Sequence, residues 1–340
     1  MYYPLTFKPI FMERVWGGRK LQTLFDKPLP PDVPIGESWE ISDRPEAVSV
    51  ILNGPWKGRD LRWLMQHHQS GLLGPVPPCG DRFPLLVKIL DASKDLSVQV
   101  HPPEAATVRL GGEPKSEMWL IAQSEPGALL YAGLKRGTDR KAFEQHLRQG
   151  TVADCLHALE AKPGDALFLP SGRIHAVGGG YLIFEVQQNS DTTFRVFDWN
   201  RPGLDGKPRA LHVEASLASI DFSDHEPGLI QSRYSRNPAL KIRYLVHHPL
   251  FNADTCQARR GLRFHLRSEG PQILGILKGR LEVSGGNESV LLRAGAFVLL
   301  PAGLERATLE ARTQVEYLHI LPGHPPVSGD VPEPNAGPSV

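Results

Sequence analysis

The sequence predicts a mainly β protein made of two jelly-roll barrels, and three observations support this fold class. Short apolar or alternating segments, separated by Gly and Pro turns, recur along much of the chain: 82–90, 96–100, 117–122, 165–170, 180–188 and 192–197. Helical patterns are few. A pattern in KPGDALFLPSG (162–172) returns in the segment 289–303, where Gly295 and Pro301 correspond to Gly164 and Pro170. An internal repeat of this kind predicts a second, shorter copy of one structural unit.

Many short antiparallel strands with small helical insertions are typical of the cupin type of jelly roll. The first barrel is expected within residues 1–240 and the second, degenerate and without metal, within residues 241–321. A helical pair is expected at about 138–159, since the segment 138–150 has a capping start and ends at a glycine. Another helix is expected around 59–68. The Pro- and Gly-rich segment 322–340 is predicted to be disordered.

Composition excludes several classes of partner. The chain of 340 residues has 38 basic and 37 acidic side chains, a net charge of +1, so nothing indicates a nucleic acid or a membrane surface. The N-terminus does not resemble a signal peptide, and no stretch approaches the ~18 apolar residues of a membrane span. Cys79, Cys155 and Cys256 show no CxxC spacing, which predicts reduced thiols in a cytoplasmic protein. A monomer and a homodimer both remain possible.

The stretch LSVQVHP (96–102) indicates half of a metal site. Because side chains alternate along a strand, Gln99 and His101 project from the same face. Glu117 opens a later strand, and His175 follows the turn after another. A jelly roll can bring these four side chains together, and their two imidazoles, carboxylate and amide suit a divalent ion such as zinc with space left for substrate.

The repeat supports a special role for His175. The second copy keeps the turn but carries Glu305 and Arg306 near the position of the histidine. A single histidine in a β turn is more often an ordinary hydrogen-bonded residue, and we interpret His67, His68, His146 and His157 in that way. The combined pattern of glutamine, histidine, glutamate and histidine favours metal binding instead.

At these residues the chain resembles the type I mannose-6-phosphate isomerases of the short bacterial kind. The resemblance covers residues 1–222 strongly and the C-terminal barrel more loosely. It is carried by VWGG (15–18), GESWEIS (36–42), PLLVKILDA (84–92), LSVQVHP (96–102), PKSEMW (114–119), AGLKRG (132–137), FLPSGRIHAVGGG (168–180) and NSDTTFRVFDWNR (189–201).

The resemblance implies an enzyme with its active site in the first barrel and one Zn²⁺ per chain, bound by Gln99, His101, Glu117 and His175. It implies that mannose 6-phosphate and fructose 6-phosphate are interconverted by proton transfer between C1 and C2 through a metal-stabilised enediolate. Lys88 and Arg195 match active-site groups of the family. Lys115 and Asp191 match further polar positions of the pocket.

The proton carrier and the phosphate ligands are less specified. Lys88 lies on an apolar strand, where burial would favour a neutral amine able to act as a base, although its stem could instead cross apolar surface to reach water. Asp191 and a zinc-bound hydroxide are the other candidates for the base. For phosphate we expect the fork of Arg195, with Lys115 and Ser97 as further donors. Arg195 could also face solvent or pair with Asp198.

Two other functions remain open at this point. His101, Glu117 and His175 alone would suit an iron(II)-dependent cupin oxygenase. A sugar-phosphate sensor without enzymatic activity could retain the same barrel. The sequence contains no P-loop or Rossmann glycine motif, which argues against ATP or NAD chemistry, and Gly178–Gly180 is interpreted as a turn.

Overall fold

A computed structural model of the chain describes residues 1–323, and it confirms the mainly β prediction. All strand pairs within the sheets are antiparallel, as expected for strands joined by short turns. The sheets form two groups along the chain. We call residues 10–197 the first β unit and residues 240–322 the second β unit.

The first β unit contains two sheets that enclose the predicted site. The first sheet has six strands in spatial order: β1 (Ile10–Gly18), β2 (Ile35–Ile41), β5 (Leu85–Ala92), β12 (Tyr181–Gln188), β7 (Glu117–Gln123) and β10 (Ala166–Leu169). The second sheet has five: β13 (Phe194–Phe197), β6 (Val98–Val100), β11 (His175–Val177), β8 (Leu130–Leu134) and β9 (Leu156–Leu159). A small hairpin joins β3 (Asp43–Arg44) to β4 (Ala47–Val48).

The second β unit also has two sheets. One contains β14 (Leu240–His248), β15 (Phe251–Ala258), β22 (Val315–Pro322), β17 (Gln272–Lys278) and β20 (Phe297–Leu300). The other contains β16 (Arg263–Arg267), β21 (Arg306–Ala311), β18 (Arg280–Gly285) and β19 (Glu288–Arg293). The order β12-β7-β10 in the first unit matches β22-β17-β20 in the second, as the repeat predicts.

The repeated turns have a common backbone requirement. Gly164 and Gly295 have φ angles of 94° and 79°, a region that side-chain-bearing residues rarely adopt. Each glycine precedes a four-residue strand, which is followed directly by Pro170 or Pro301. The glycine and the proline therefore mark the same turn in both units.

Five short α-helices complete the described chain: α1 (Lys20–Phe25), α2 (Leu61–Leu73), α3 (Glu104–Leu110), α4 (Arg140–Gln149) and α5 (Val213–Ser219). Helix α2 begins after Asp60, whose carboxylate accepts a hydrogen bond from the Trp63 amide, and it buries Leu61, Leu64 and Met65 as predicted. A kink at His68, where φ is −138° and ψ is 24°, lies at the predicted end, and a second helical segment runs on to Leu73.

The helical pair predicted at 138–159 is wrong in its second half. Helix α4 ends at Gly150, which adopts a left-handed conformation, and only a 3₁₀ turn, Val152–Cys155, follows. Leu156–Leu159 forms β9 instead and pairs with the edge of β8. An isolated nine-residue helix is marginal, so strand pairing with an available edge prevails over the local pattern.

The predicted C-terminal tail begins too early. Pro322 is the last residue of β22, and the Gly323 amide donates to the Leu250 carbonyl at 2.9 Å. The remainder of the tail prediction, 324–340, lies outside the described residues.

One apolar core joins the two units. It combines first-unit side chains such as Ile89, Met118 and Phe184 with second-unit side chains such as Phe251 and Ile273. The N-terminal segment also contributes, since Leu5 exchanges both backbone hydrogen bonds with Leu299 at 2.8 and 2.9 Å. The outer surface of the first sheet therefore faces the second unit, and its inner surface remains for the site.

Candidate metal centre and active site

The register of the second sheet aligns three of the predicted site residues. Arg195 of β13 pairs with Gln99 of β6, and Gln99 pairs with His175, the first residue of β11. Directly paired residues on adjacent strands project from the same face. The three side chains therefore form a row on the inner face of this sheet, and His101 follows Gln99 by two residues.

The inner face of the first sheet supplies the carboxylate. Glu117 is the first residue of β7 and pairs with Gln187 of β12. One step along the same face, Lys88, Glu185 and Trp119 form a row across β5, β12 and β7. Alternation along each strand thus places polar side chains inside an otherwise apolar sheet.

His101, Glu117 and His175 meet between the two sheets. Their candidate ligand atoms lie within 4.8 Å of one another, and all three residues are buried. The Nε2 atom of His101 lies 3.5 Å from Oε2 of Glu117, and Nε2 of His175 lies 3.3 Å from Oε1. Each imidazole therefore faces a different oxygen of one carboxylate.

The hydrogen bonds of the two imidazoles define their tautomers. Nδ1 of His101 lies 2.8 Å from the Thr192 carbonyl oxygen, and Nδ1 of His175 lies 2.9 Å from that of Arg173. Because a carbonyl oxygen can only accept, both Nδ1 atoms carry the proton. Burial lowers the pKa of both rings, and burial together with the charge of Lys115 lowers that of His101 to about 3. Two Nε2 lone pairs therefore point at the carboxylate.

The Glu117 carboxylate fits the requirement of a bound cation. Burial would raise its pKa, but Lys115 and His101 hold it well below its ordinary value. Among residues 1–323, Oε1 of Glu117 has no hydrogen-bond donor, whereas Oε2 lies 2.9 Å from the Lys115 ammonium. Lys115 thus balances the charge of the cluster only on the Oε2 side, and a bound cation would stabilise the electron-rich atoms that remain. Such a donor set, oriented by backbone carbonyls, fits a divalent metal ion.

Gln99 lies beside this cluster. Its amide Nε2 is 3.3 Å from Nε2 of His175, and rotation of the amide group would present its oxygen at the same place. The site residues predicted from the strand alternation are thus close to one another in the structure.

A cavity of about 510 Å³ opens next to the cluster. Gln99 and Lys115 line it, and each also contacts the cluster, so the ligand atoms lie directly behind this wall. The lining side chains include both signs of charge. They are Glu13, Arg14, Val15, Trp16, Glu37, Lys88, Leu90, Leu96, Ser97, Gln99, Lys115, Glu185, Asp191, Thr193, Arg195, Gly203, Leu204, Asp205 and Arg209.

Lys88 is buried, but its environment differs from the apolar one that we expected. Its ammonium lies 3.8 Å from Glu37, 3.6 Å from Glu185 and 3.7 Å from Asp191, and 4.8 Å from the centre of the Trp39 ring. Its immediate neighbours along β5, Val87 and Ile89, point to the opposite face of the sheet. Lys88 therefore lies among charged groups and not in apolar surroundings.

The other predicted residues occupy different parts of the cavity. Ser97, Asp191 and Arg195 line it. Nη1 of Arg195 donates to the Ala210 carbonyl at 2.9 Å. Lys115 lies 2.9 Å from Glu117, and although burial would lower its pKa, Glu117 and Glu185 raise it.

Sequence reasoning missed several charged residues of this site, among them Glu185 and Glu37. Glu185 is buried, accepts a hydrogen bond from Trp119 at 3.0 Å, and has a pKa raised by burial and by the charge of Glu117. Glu37 accepts hydrogen bonds from Arg14 at 2.8 Å and from Trp39 at 2.6 Å. A signal was available, because a glutamate within an apolar strand such as LIFEVQQ requires a partner inside the protein.

Fold and site together define a cupin-type protein with a candidate metal centre inside its first β unit. A family model described as phosphomannose isomerase type I, catalytic domain, matches residues 5–116. The mannose-6-phosphate isomerase ManA of Bacillus subtilis is 34% identical over 332 residues, which cover 93% of this chain and 99% of the relative. The chain therefore belongs to the type I mannose-6-phosphate isomerase family, and the predicted resemblance and enzyme class are confirmed.

Further comparisons agree with this assignment. A mannose-6-phosphate isomerase of Streptococcus mutans is 34% identical over 303 residues, covering 88% of this chain and 93% of the relative. The crystal structure of the mannose 6-phosphate isomerase from Bacillus subtilis superposes with a TM-score of 0.85 at 29% identity, covering 94% of this chain and 99% of the other. The apo enzyme from Salmonella typhimurium, at 15% identity and a TM-score of 0.74, shares the fold.

Across residues 1–323, every helix is too short or too polar to span a membrane.

Proposed function

We propose that this chain interconverts mannose 6-phosphate and fructose 6-phosphate with one Zn²⁺ bound by Gln99, His101, Glu117 and His175. The observation that carries the proposal is the buried cluster in which two imidazole Nε2 atoms converge on the ionised Glu117 carboxylate beside a cavity. When bound, the metal would act as a Lewis acid that polarises oxygen atoms of the sugar.

Proton transfer would be the task of a carboxylate. Of the groups predicted for this role, Lys88 is already paired with three carboxylates, one of which is Asp191 itself. Asp191 lines the cavity, and its side chain is 40% exposed. We therefore assign the base to Asp191, with Lys88 supplying positive charge next to it.

The phosphate group would bind at the part of the cavity lined by Arg195 and Ser97. A guanidinium fork matches phosphate oxygens in geometry and charge. Lys115 was predicted as a third phosphate ligand. Because its ammonium is 2.9 Å from Glu117, it is better placed to balance charge at the metal cluster.

The remaining assignments follow from the same proposal. The substrate is a small sugar phosphate, residues 1–240 form the catalytic domain, and residues 241–321 form a degenerate cupin-like domain. The cytoplasmic location, and the choice between monomer and homodimer, stay predictions.

A coupled assay that starts from mannose 6-phosphate and detects fructose 6-phosphate tests the function. We expect activity in the protein as purified, its loss after exhaustive chelation, and its return with Zn²⁺. The variant Glu117→Gln should lose bound metal and activity together, because it removes the charged ligand of the cluster. The matched control Glu125→Gln alters an exposed glutamate and should behave as the parent.

The same experiment separates the alternatives. Activity that survives complete metal removal would contradict the metal site. Iron rather than zinc in protein purified without added metal would favour the oxygenase alternative. A parent protein that binds sugar phosphate but never isomerises it would be a sensor.

A further inference from the structure

The proposed isomerase must bind a phosphate dianion, and we propose that Arg209 is a further phosphate-binding residue, acting beside Arg195. This inference rests on the proposed function and specifies how the same cavity would select phosphorylated sugars. The loop that follows β13, residues 198–209, contains Arg209 at its end, and we call it the arginine loop.

The arginine loop folds back on itself and returns Arg209 to the cavity. Pro202 and Pro208 form a β-bridge, and the Gly203 amide donates to the Lys207 carbonyl at 2.7 Å. Gly203, Leu204, Asp205 and Arg209 of this loop all line the cavity. A surface loop thus forms part of the cavity wall.

Asp198 holds the Arg209 side chain in a defined orientation. Nε and Nη2 of Arg209 donate to the two oxygens of Asp198 at 2.7 and 2.6 Å. The Asp198 side chain is only 7% exposed, and Arg201 donates to the same carboxylate at 3.0 and 3.2 Å. Because both contacts of Arg209 use one edge of its guanidinium, Nη1 remains available on the other edge.

Arg195 lies next to this group. Its Nη1 donates to the carbonyl of Ala210, the residue after Arg209, and its buried Nε has no hydrogen-bond partner among residues 1–323. Burial lowers the pKa of Arg195, and the positive charge of Arg209 lowers it further, which shows that the two guanidiniums repel each other. A buried donor without an acceptor and two repelling cations are both stabilised by an anion between them.

The charges in this region favour an anion over a neutral sugar group. Arg195 and Arg209 line the cavity together with Asp205, whereas Arg201 does not line it and balances the charge of Asp198 with Arg209. Asp205 also accepts a hydrogen bond from the Lys207 amide at 3.0 Å. The excess of positive charge lies on the loop and β13, whereas the cluster of Glu37, Glu185 and Asp191 lies around Lys88. A sugar phosphate would therefore bind with its phosphate toward the loop.

The test compares Arg209→Gln with the matched control Arg201→Gln. Both arginines donate to Asp198, but only Arg209 lines the cavity. For Arg209→Gln we expect the KM for mannose 6-phosphate and the inhibition constant of inorganic phosphate to rise together by about ten- to a hundredfold, since a charge-assisted contact is lost. Arg201→Gln should change either constant by less than about threefold. Arg209→Lys, which keeps the charge, should recover part of the loss.

Three outcomes would overturn the inference while leaving the isomerase proposal intact. One is an active Arg209→Gln variant with the KM of the parent. Another is a KM increase with no change in phosphate inhibition, which would place Arg209 against the sugar. The third is equal damage from Arg201→Gln, which would reduce Arg209 to a structural partner of Asp198. Metal content and melting temperature, measured for each variant, identify any loss that comes from misfolding. A parent without activity on mannose 6-phosphate would instead contradict the proposed function.

Discussion

Glu37 illustrates at the residue scale how this protein keeps a buried carboxylate ionised. Burial alone would raise its pKa, but Lys88, Arg14 and Trp39 together lower it from 4.5 to about 2. Each of these partners is itself part of the cavity or next to it. The residues that shape the site therefore also contribute to stability.

Replacement of Glu37 by Gln should destabilise the protein at neutral pH by about 3 kcal/mol, because a pKa shift of this size corresponds to roughly 1.4 kcal/mol per unit. The folded-state pKa is depressed, so this contribution is complete above pH 4.5 and is lost as the pH falls toward 2. Urea unfolding of parent and variant should thus show a gap at pH 7 that narrows at about pH 3.

Glu46→Gln, which alters an exposed glutamate, serves as the control and should show little change at either pH. If Glu37→Gln and the parent have the same free energy of unfolding at neutral pH, the neighbouring cations do not stabilise this carboxylate.

Sequence reasoning at this scale succeeded where side-chain alternation was informative. Gln99 and His101 were expected on one face of a strand, and the structure places both at the cluster. The predicted apolar environment of Lys88 was less accurate. The sequence of β5 shows that this strand has two faces, but not that Glu185 and Glu37 lie next to the inner one. Those partners come from other strands, and only the sheet order brings them to Lys88.

At the scale of elements, strand register positions the candidate metal ligands. His175 pairs with Gln99 on one side and with Ala132 of β8 on the other. Ala132 is fully buried, and the Trp119 ring packs edge-on against His175 with centroids 5.4 Å apart. A small side chain at position 132 leaves room for the imidazole to reach Glu117.

Enlarging this position should therefore disturb metal binding. Ala132→Leu places extra volume next to His175, and overpacking of a buried site typically costs about 1–3 kcal/mol. We expect the variant to fold, with unchanged far-UV circular dichroism, but to retain less metal after dialysis than the parent. Ala158→Leu, on the exposed surface of the adjacent β9, should retain the full amount. Full metal retention by Ala132→Leu would mean that His175 is not held by this packing.

An element boundary was predicted correctly where a turn residue marked it, as at Gly150. The error at 156–159 has a different origin. The segment contains a short pattern compatible with a helix, but the free edge of β8 offers backbone hydrogen bonds that only a strand can use. An edge created by tertiary structure is not encoded in the local pattern.

At the scale of the whole molecule, the two β units share one apolar core. Phe251 of the second unit is fully buried, and its ring centroid lies 6.2 Å from that of Phe168 in the first unit. The repeat in the sequence predicted two units, but it did not predict how extensively they are joined. Apolar residues on the outer face of a strand give the same sequence pattern whether they pack against a helix or against another sheet.

A large truncation in this shared core should affect both units at once. Phe251→Ala should lower the free energy of unfolding by roughly 3–5 kcal/mol, the usual cost of deleting a buried aromatic ring. We expect a single unfolding transition in both parent and variant, with metal release and loss of β-sheet signal at the same urea concentration. Two separate transitions would show that the units are energetically independent.

The backbone bridge between Leu5 and Leu299 has a consequence for synthesis on the ribosome. The first strand-like residues to emerge find their hydrogen-bonding partner only after nearly three hundred further residues have been translated. Tyr3 and Phe7 can meet Trp56 and Ile51 much sooner, so the late step for this segment is the bridge of Leu5. Completion of the native structure therefore waits until the second β unit has been synthesised.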